Sequence, residues 1–201
     1  MRLFYAPTSP FARKVRVLIA EKAIDGIELV NVSPFDAPAE LVTSNPLSKV
    51  PALILGDGRA LYDSPVICEY LDQASGGTLL IPLGGDERWQ VLRRQALADG
   101  IMETCLSLAL EVNRRPENER SPDWIEHWCR TMRRSADALE TEIGSYSASI
   151  DIGHIATACA LAYLDFRAAQ HVDWRTGRPE LAAWFGEFLQ RPSMLATQVP
   201  E

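Results

Sequence analysis

The sequence has no Cys-x-x-Cys pair. Its four cysteines, Cys68, Cys105, Cys129 and Cys159, lie far apart, each within a stretch of helical spacing. They form neither a disulfide framework nor a zinc-ligand pattern, so buried, reduced thiols are expected. The three histidines, His127, His154 and His171, likewise form no ligand-spaced set, and no metal is expected. No run approaches the ~20 apolar residues of a membrane span. The start MRLFY leads straight into a strand pattern rather than a signal peptide, so no membrane partner and a cytoplasmic address are expected. Basic residues are the minority: 20 Lys and Arg stand against 27 Asp and Glu, a net charge of −7. Neutralising phosphates needs a concentrated basic surface, so nucleic acid is excluded as a partner and a small molecule is favoured.

What is present is an ordinary globular balance, 47% hydrophobic and 23% charged, over 201 residues. That length suits one large or two small domains stabilised by burial alone. The two halves follow different patterns. Arg2 to Tyr5 read as a strand, and Pro10 to Lys22 carry Val15, Leu18 and Ile19 at helical spacing. Ile27 to Val32 read as a second strand after the Asp25-Gly26 turn. Pro38 to Thr43 predict a short helix. VPALIL (Val50 to Leu55), the turn Gly56-Asp57-Gly58 and RALY (Arg59 to Tyr62) predict a hairpin. Ser64 then caps a helix through Leu71.

The order βαβ-αββα implies a parallel pair with a right-handed crossover and an antiparallel hairpin added at one edge. The result is a mixed four-stranded sheet of thioredoxin topology. From Asp86 onward only helical periodicity is visible, over Glu87 to Asn113, Pro122 to Ile143, Gly153 to Ala169 and Pro179 to Gln190. The expected architecture is therefore an α/β domain over residues 1–76, a linker over 77–86 (the loop SGGTLLIPLGG ends in it) and an all-α domain over 87–201.

Three short motifs carry chemistry. Ser9 stands at the start of the first helix, before Pro10, where a missing N–H costs nothing. Its hydroxyl is either a plain N-cap or a donor to a thiolate that the helix dipole also favours. It has no histidine near in sequence to make it a nucleophile. Val50-Pro51 opens the third strand. A trans bond there is an ordinary strand edge, whereas a cis bond would turn the Val50 backbone to the open end of the sheet, where an extended peptide could pair with it. In YDSPVICEYL, Asp63 and Ser64 sit at a strand-to-helix junction. Free N–H groups and the Ser64 hydroxyl would hold a carboxylate, and Asp63 would attract an ammonium group. The alternative is a simple cap with an acidic neighbour.

These motifs, in this order on these two halves, resemble the cytosolic glutathione S-transferases. SPFARKVR (Ser9 to Arg16), NPLSKVPAL (Asn45 to Leu53), LYDSPVICEYLD (Leu61 to Asp72) and IATACALAYLDFR (Ile155 to Arg167) carry the resemblance. Within the family the chain looks most like small bacterial enzymes of the Ser-Pro-Phe type near the zeta and omega branches. The resemblance implies glutathione as co-substrate, with Asp63 and Ser64 at its γ-glutamyl end, the Val50 backbone at its cysteinyl part and Lys49 facing its glycine carboxylate. It also places the thiol-activating residue at Ser9, with Phe11 beside it and Tyr5 in reserve. Omega-type relatives have cysteine at the Ser9 position and perform thiol transfer, which serine cannot, because it forms no mixed disulfide.

The segment LADGIMET resembles one in which an aspartate reaches glutathione in the neighbouring subunit, implicating Asp99 and a homodimer. Phe11, Met102, Leu106, Tyr163 and Phe166 are the expected lining of an apolar acceptor pocket between the domains. The implied function is a transferase that activates the glutathione thiol for attack on small, electrophilic, largely apolar substrates, a detoxification chemistry. Two alternatives stay open: a noncatalytic interaction or regulatory protein of the same fold, and a glutathione-dependent isomerase or reductase.

One departure from the family pattern stands before IATACALAYLDFR. The family has Ser or Thr, two residues, then Asp, as a capping box; here Asp151 and His154 take those places. Asp151 can cap, but a histidine is a poorer, pH-dependent acceptor, so a weakened box is expected, and His154→Asp is expected to raise the melting temperature.

Overall fold

The computed structural model describes residues 1–146 and 149–199. The chain forms two compact units, Met1–Arg88 joined by the segment from Pro192 onward, and Trp89–Arg191. The first unit contains β1 (Arg2–Tyr5), α1 (Pro10–Glu21), β2 (Glu28–Asn31), α2 (Ala39–Ser44), β3 (Ala52–Ile54), β4 (Ala60–Leu61) and α3 (Ser64–Ala74). A single 3-10 turn, Pro34–Asp36, precedes α2. The four strands lie in the order β2-β1-β3-β4, β2 parallel to β1 and the remaining pairs antiparallel. This is the thioredoxin-like arrangement expected, β1 with the bounds expected and the other three strands trimmed at their ends.

Alternation along the strands builds the core. Phe4 and Ala52, opposite each other in the register, meet Leu41 of α2 and Val50 on one face. Leu3 and Leu53, the next pair, are fully buried on the other face, the side α1 and α3 cover. Helix α1 starts as the sequence implies: Ser9 caps it by accepting the Ala12 N–H at 3.2 Å, and Pro10 opens the first turn. Helix α3 does not. Ser64 is its first residue rather than its cap; Asp63 takes the cap position and makes no side-chain cap bond. The helix also runs on past Leu71 to Ala74.

That extension places Asp72 where the expected linker begins. The Asp72 carboxylate, fully buried, accepts the Leu80 N–H at 2.9 Å and the Ile81 N–H at 2.9 Å. It pairs with the Lys22 ammonium at 2.7 Å. Lys22 also donates to the carbonyls of Asp72 (2.9 Å) and Thr78 (3.0 Å). Leu80 and Ile81 are buried, so this stretch is packed structure of the first unit rather than a loose connection.

The second unit holds α4 (Gly85–Arg114, its first residues in the first unit), α5 (Pro122–Ile143), α6 (Ile152–Arg167) and α7 (Pro179–Phe188). After Arg191 the chain departs from the expected helical domain over 87–201. The short helix α8 (Pro192–Leu195) belongs with the first unit and packs on α1. The cause is burial: Ser193, Met194 and Thr197 are almost fully buried. Residues 200 and 201, the end of the expected domain, lie outside the described residues.

The capping box of α6 corrects the expectation made for it. The His154 N–H donates to Asp151 Oδ1 at 3.1 Å, and the Asp151 N–H donates back to His154 Nδ1 at 3.2 Å, so both reciprocal bonds exist. The same Nδ1 lies 2.9 Å from Asp151 Oδ1. Arg94 reaches Asp151 Oδ2 at 3.1 Å. Burial alone would raise the Asp151 carboxyl. The hydrogen bonds and charge of His154, with the Arg94 guanidinium, outweigh it and hold the group below its ordinary range.

Three outcomes are expected. Asp72→Ala leaves the Lys22 ammonium buried without its counter-charge, so urea denaturation should show a loss of about 3–5 kcal/mol. His154→Asp sets a second carboxylate beside Asp151 and should lower the melting temperature; an increase would restore the weakened-box view. Because the folded Asp151 pKa is depressed, its stabilisation is present above the ordinary carboxylate pKa and lost as pH falls through the folded value. The stability gap between wild type and Asp151→Asn should therefore be largest near neutrality and narrow in acid.

Candidate functional site

The strand directions decide where the motif residues meet. Strand β4 runs parallel to β1, because each is antiparallel to β3. The chain therefore leaves β1 and β4 at one end of the sheet, and enters β3 at that same end, where Ala52 opposes Phe4. The corner after β1 carries Ser9, the entry to β3 carries Lys49, Val50 and Pro51, and the exit from β4 carries Asp63 and Ser64. Three motifs separated in sequence thus converge on one edge of the first unit. Both α1 and α3 begin there, so their free N–H groups and partial positive charges add to it.

Each side chain has a physical reason for its pose. The Ser9 oxygen accepts the Ala12 N–H, and among the described residues its own O–H has no acceptor. The hydroxyl is half-buried and available to donate. The Val50-Pro51 bond is cis, which settles the alternative left open, and Tyr62-Asp63 is cis as well. Val50 lies outside the β3 ladder. The exposed Lys49 ammonium, the exposed Asp63 carboxylate and the hydroxyl of Ser64, a residue 1% exposed, have no hydrogen-bond or ion-pair partner among the described residues. Their polar capacity is uncommitted.

Asn45 was not singled out, although it lies inside NPLSKVPAL. It is almost fully buried, donates through Nδ2 to the Lys49 carbonyl at 2.8 Å, and accepts the Leu47 N–H at 3.1 Å. The Ser48 N–H donates to the Asn45 carbonyl at 2.8 Å, and Ser48 itself has φ +51. Asn45 therefore shapes the turn that presents Lys49 and Val50. The signal was an asparagine immediately before Pro46, at the end of a short helix pattern, which serves a loop more often than a ligand.

The reserve candidate is differently placed. Tyr5 ends β1, and its ring lies beneath the Arg16 guanidinium, 5.0 Å from the centroid. The remaining predicted residues divide between the units. Phe11, half-buried, lies in α1 two residues after Ser9. Asp99, Met102 and Leu106 are on α4, and Tyr163 and Phe166 on α6, in the second unit. The Cys105 thiol contacts the Tyr163 carbonyl at 3.7 Å, which joins α4 to α6 there. Met102 has no exposed surface, whereas Phe166 is the most exposed of this group. Burial pushes the Tyr163 phenol up to about 12.

No cysteine takes the place of the thiol missing from the Ser9 corner. All four are buried. Burial pushes the Cys105 thiol up to about 12 and raises Cys129 as well.

Comparison with known proteins follows the same outline. Residues 3–78 match the model of the glutathione S-transferase N-terminal domain, and residues 122–187 that of the glutathione S-transferase C-terminal domain. The GST-like protein YibF of Escherichia coli (strain K12) is 33% identical over 204 residues, covering 100% of both chains. The structure is similar to that of a glutathione transferase family member from Pseudomonas fluorescens Pf-5 with bound glutathione, at a TM-score of 0.95 and 43% identity over 100% of this chain and 99% of that one. A Pseudomonas fluorescens Pf-5 structure with bound S-(propanoic acid)-glutathione matches at a TM-score of 0.91 and 42% identity over 100% of both chains.

Proposed function

The chain belongs to the glutathione S-transferase family, and from that premise we propose that it binds glutathione where Ser9, Val50 and Ser64 converge and activates the thiol for conjugation. The observation that carries the reading is the set of uncommitted polar groups at that edge. They are a cation at Lys49, an anion at Asp63 and a hydroxyl at Ser64, beside a cap serine with an unused O–H. Glutathione has the complementary groups: a terminal carboxylate for Lys49, and an ammonium and a carboxylate for Asp63 and Ser64. Its extended middle would pair with the Val50 backbone. A relative 43% identical holds glutathione, and a thioether of glutathione occupies a structure 42% identical.

In this reading the thiol loses its proton to solvent. The Ser9 O–H donates to the sulfur, and the positive end of α1 favours the anion further. Lowering the thiol pKa by ~2 units corresponds to ~2.7 kcal/mol and makes the thiolate dominant near neutrality. The thiolate sulfur then forms a bond to an electrophilic carbon, and the leaving group departs with the bonding pair. Phe11 offers apolar surface next to Ser9 for such an electrophile. Serine cannot exchange with a disulfide, so the corner suits conjugation better than reduction. The reading includes a homodimer, with Asp99 turned to the ligand of the neighbouring subunit.

Titration calorimetry should show glutathione binding to the wild type, and Ser9→Ala should bind within a few-fold of it. Conjugation of chlorodinitrobenzene by Ser9→Ala should fall by a factor on the order of 10². No heat of binding would end the glutathione reading. Full turnover in Ser9→Ala would transfer the role to Tyr5 or to backbone donors.

A further inference from the structure

The least expected side chain in the first unit is Arg13. It stands in the first turn of α1, one turn beyond Ser9, and its N–H donates to the Ser9 carbonyl at 2.9 Å. The residue is 95% buried, being only 5% exposed. Its guanidinium donates to two neutral oxygens, both from the returning C-terminal segment: the Met194 carbonyl at 3.1 Å and Thr197 Oγ1 at 3.4 Å. Among the described residues no carboxylate pairs with it. Ser193, beside Met194, donates its hydroxyl to the Glu21 carboxylate at the other end of α1. The segment from Pro192 therefore grips α1 at its first and last turns.

For stability alone, this arrangement is poor on two counts. A buried guanidinium without a counter-ion keeps much of its desolvation cost, and an apolar side chain of similar volume would avoid it. A cation in the first turn also opposes the helix dipole, which favours anions there. Both costs have the same remedy, a negative charge arriving at the start of α1. We propose that Arg13, clasped by Met194 and Thr197, is a positioning residue that fixes the first turn of α1 and biases it toward an anion, so that the Ser9 hydroxyl meets a thiolate. The proposal rests on the reading of Ser9 given above.

Only the first turn is affected, so the effect on chemistry should separate from the effect on folding. Arg13→Met, in the full chain, should melt at or above the wild-type temperature. Its kcat/KM for glutathione conjugation at neutral pH should fall about tenfold, the pH–rate profile moving about one unit to higher pH. Arg13→Lys, which keeps the charge, should recover most of the loss. Thr197→Val, which loosens the clasp without touching α1, should move the profile the same way by less. In a Ser9→Ala background, Arg13→Met should cost little more, because the two act as one unit.

An unshifted profile in both Arg13→Met and Thr197→Val, or full additivity with Ser9→Ala, overturns the proposal. If Arg13→Met does not fold, Thr197→Val and Arg13→Lys decide the question alone. Failure of the Ser9 reading is distinct, since Ser9→Ala would then turn over normally whatever Arg13 does.

Discussion

A single buried ion pair governs the geometry of the first unit. Lys22, at the C-cap of α1, and Asp72, in the last turn of α3, tie the C-terminal ends of the two helices together, and Asp72 also anchors the backbone at Leu80 and Ile81. With those ends fixed, α1 and α3 point their N-termini to the opposite end, where β1 and β4 finish. The pair is expensive in desolvation and is retained with several hydrogen bonds to its carboxylate, the condition under which such a pair holds. The two helix starts at the candidate site depend on it.

The site follows from this constraint and from strand direction. Two helix starts and one strand entry meet at one edge, and the side chains there are not spent on one another. Elsewhere in the first unit several charged groups pair with one another: Arg2 with Glu28 and Glu40, Arg59 with Asp57, Arg88 with Glu69. Lys49 and Asp63 form no such pair among the described residues. The C-terminal segment adds a second restraint on α1 from the opposite end of the sequence, and through Arg13 it bears on the same turn that Ser9 caps.

Much of this was legible in the residues. The Ser9-Pro10 start, the strand over Arg2–Tyr5 and helix α5 over Pro122–Ile143 have strong local signals, and local signals survive folding. Other features depend on distant partners and left no local trace. The state of Val50-Pro51 is a tertiary choice between two permitted isomers. The return of Pro192–Leu195 to α1 is too short to show a period. The His154 box was underestimated because acceptor strength was judged by residue type, whereas the ring nitrogen lies 3.2 Å from the Asp151 N–H and uses it. Asn45 and Arg13 were passed over for the same reason: each owes its role to a contact that the fold creates.

The central claim is that the Ser9 corner stabilises a sulfur that arrives with the ligand, in place of one in the chain. The most direct measurement is an ultraviolet titration of the thiol of glutathione bound to the wild type and to Ser9→Ala. The account predicts that the thiolate band of the wild-type complex persists ~2 pH units below that of free glutathione, and that in Ser9→Ala it moves back toward the free value. Identical titration curves for the two complexes would contradict it.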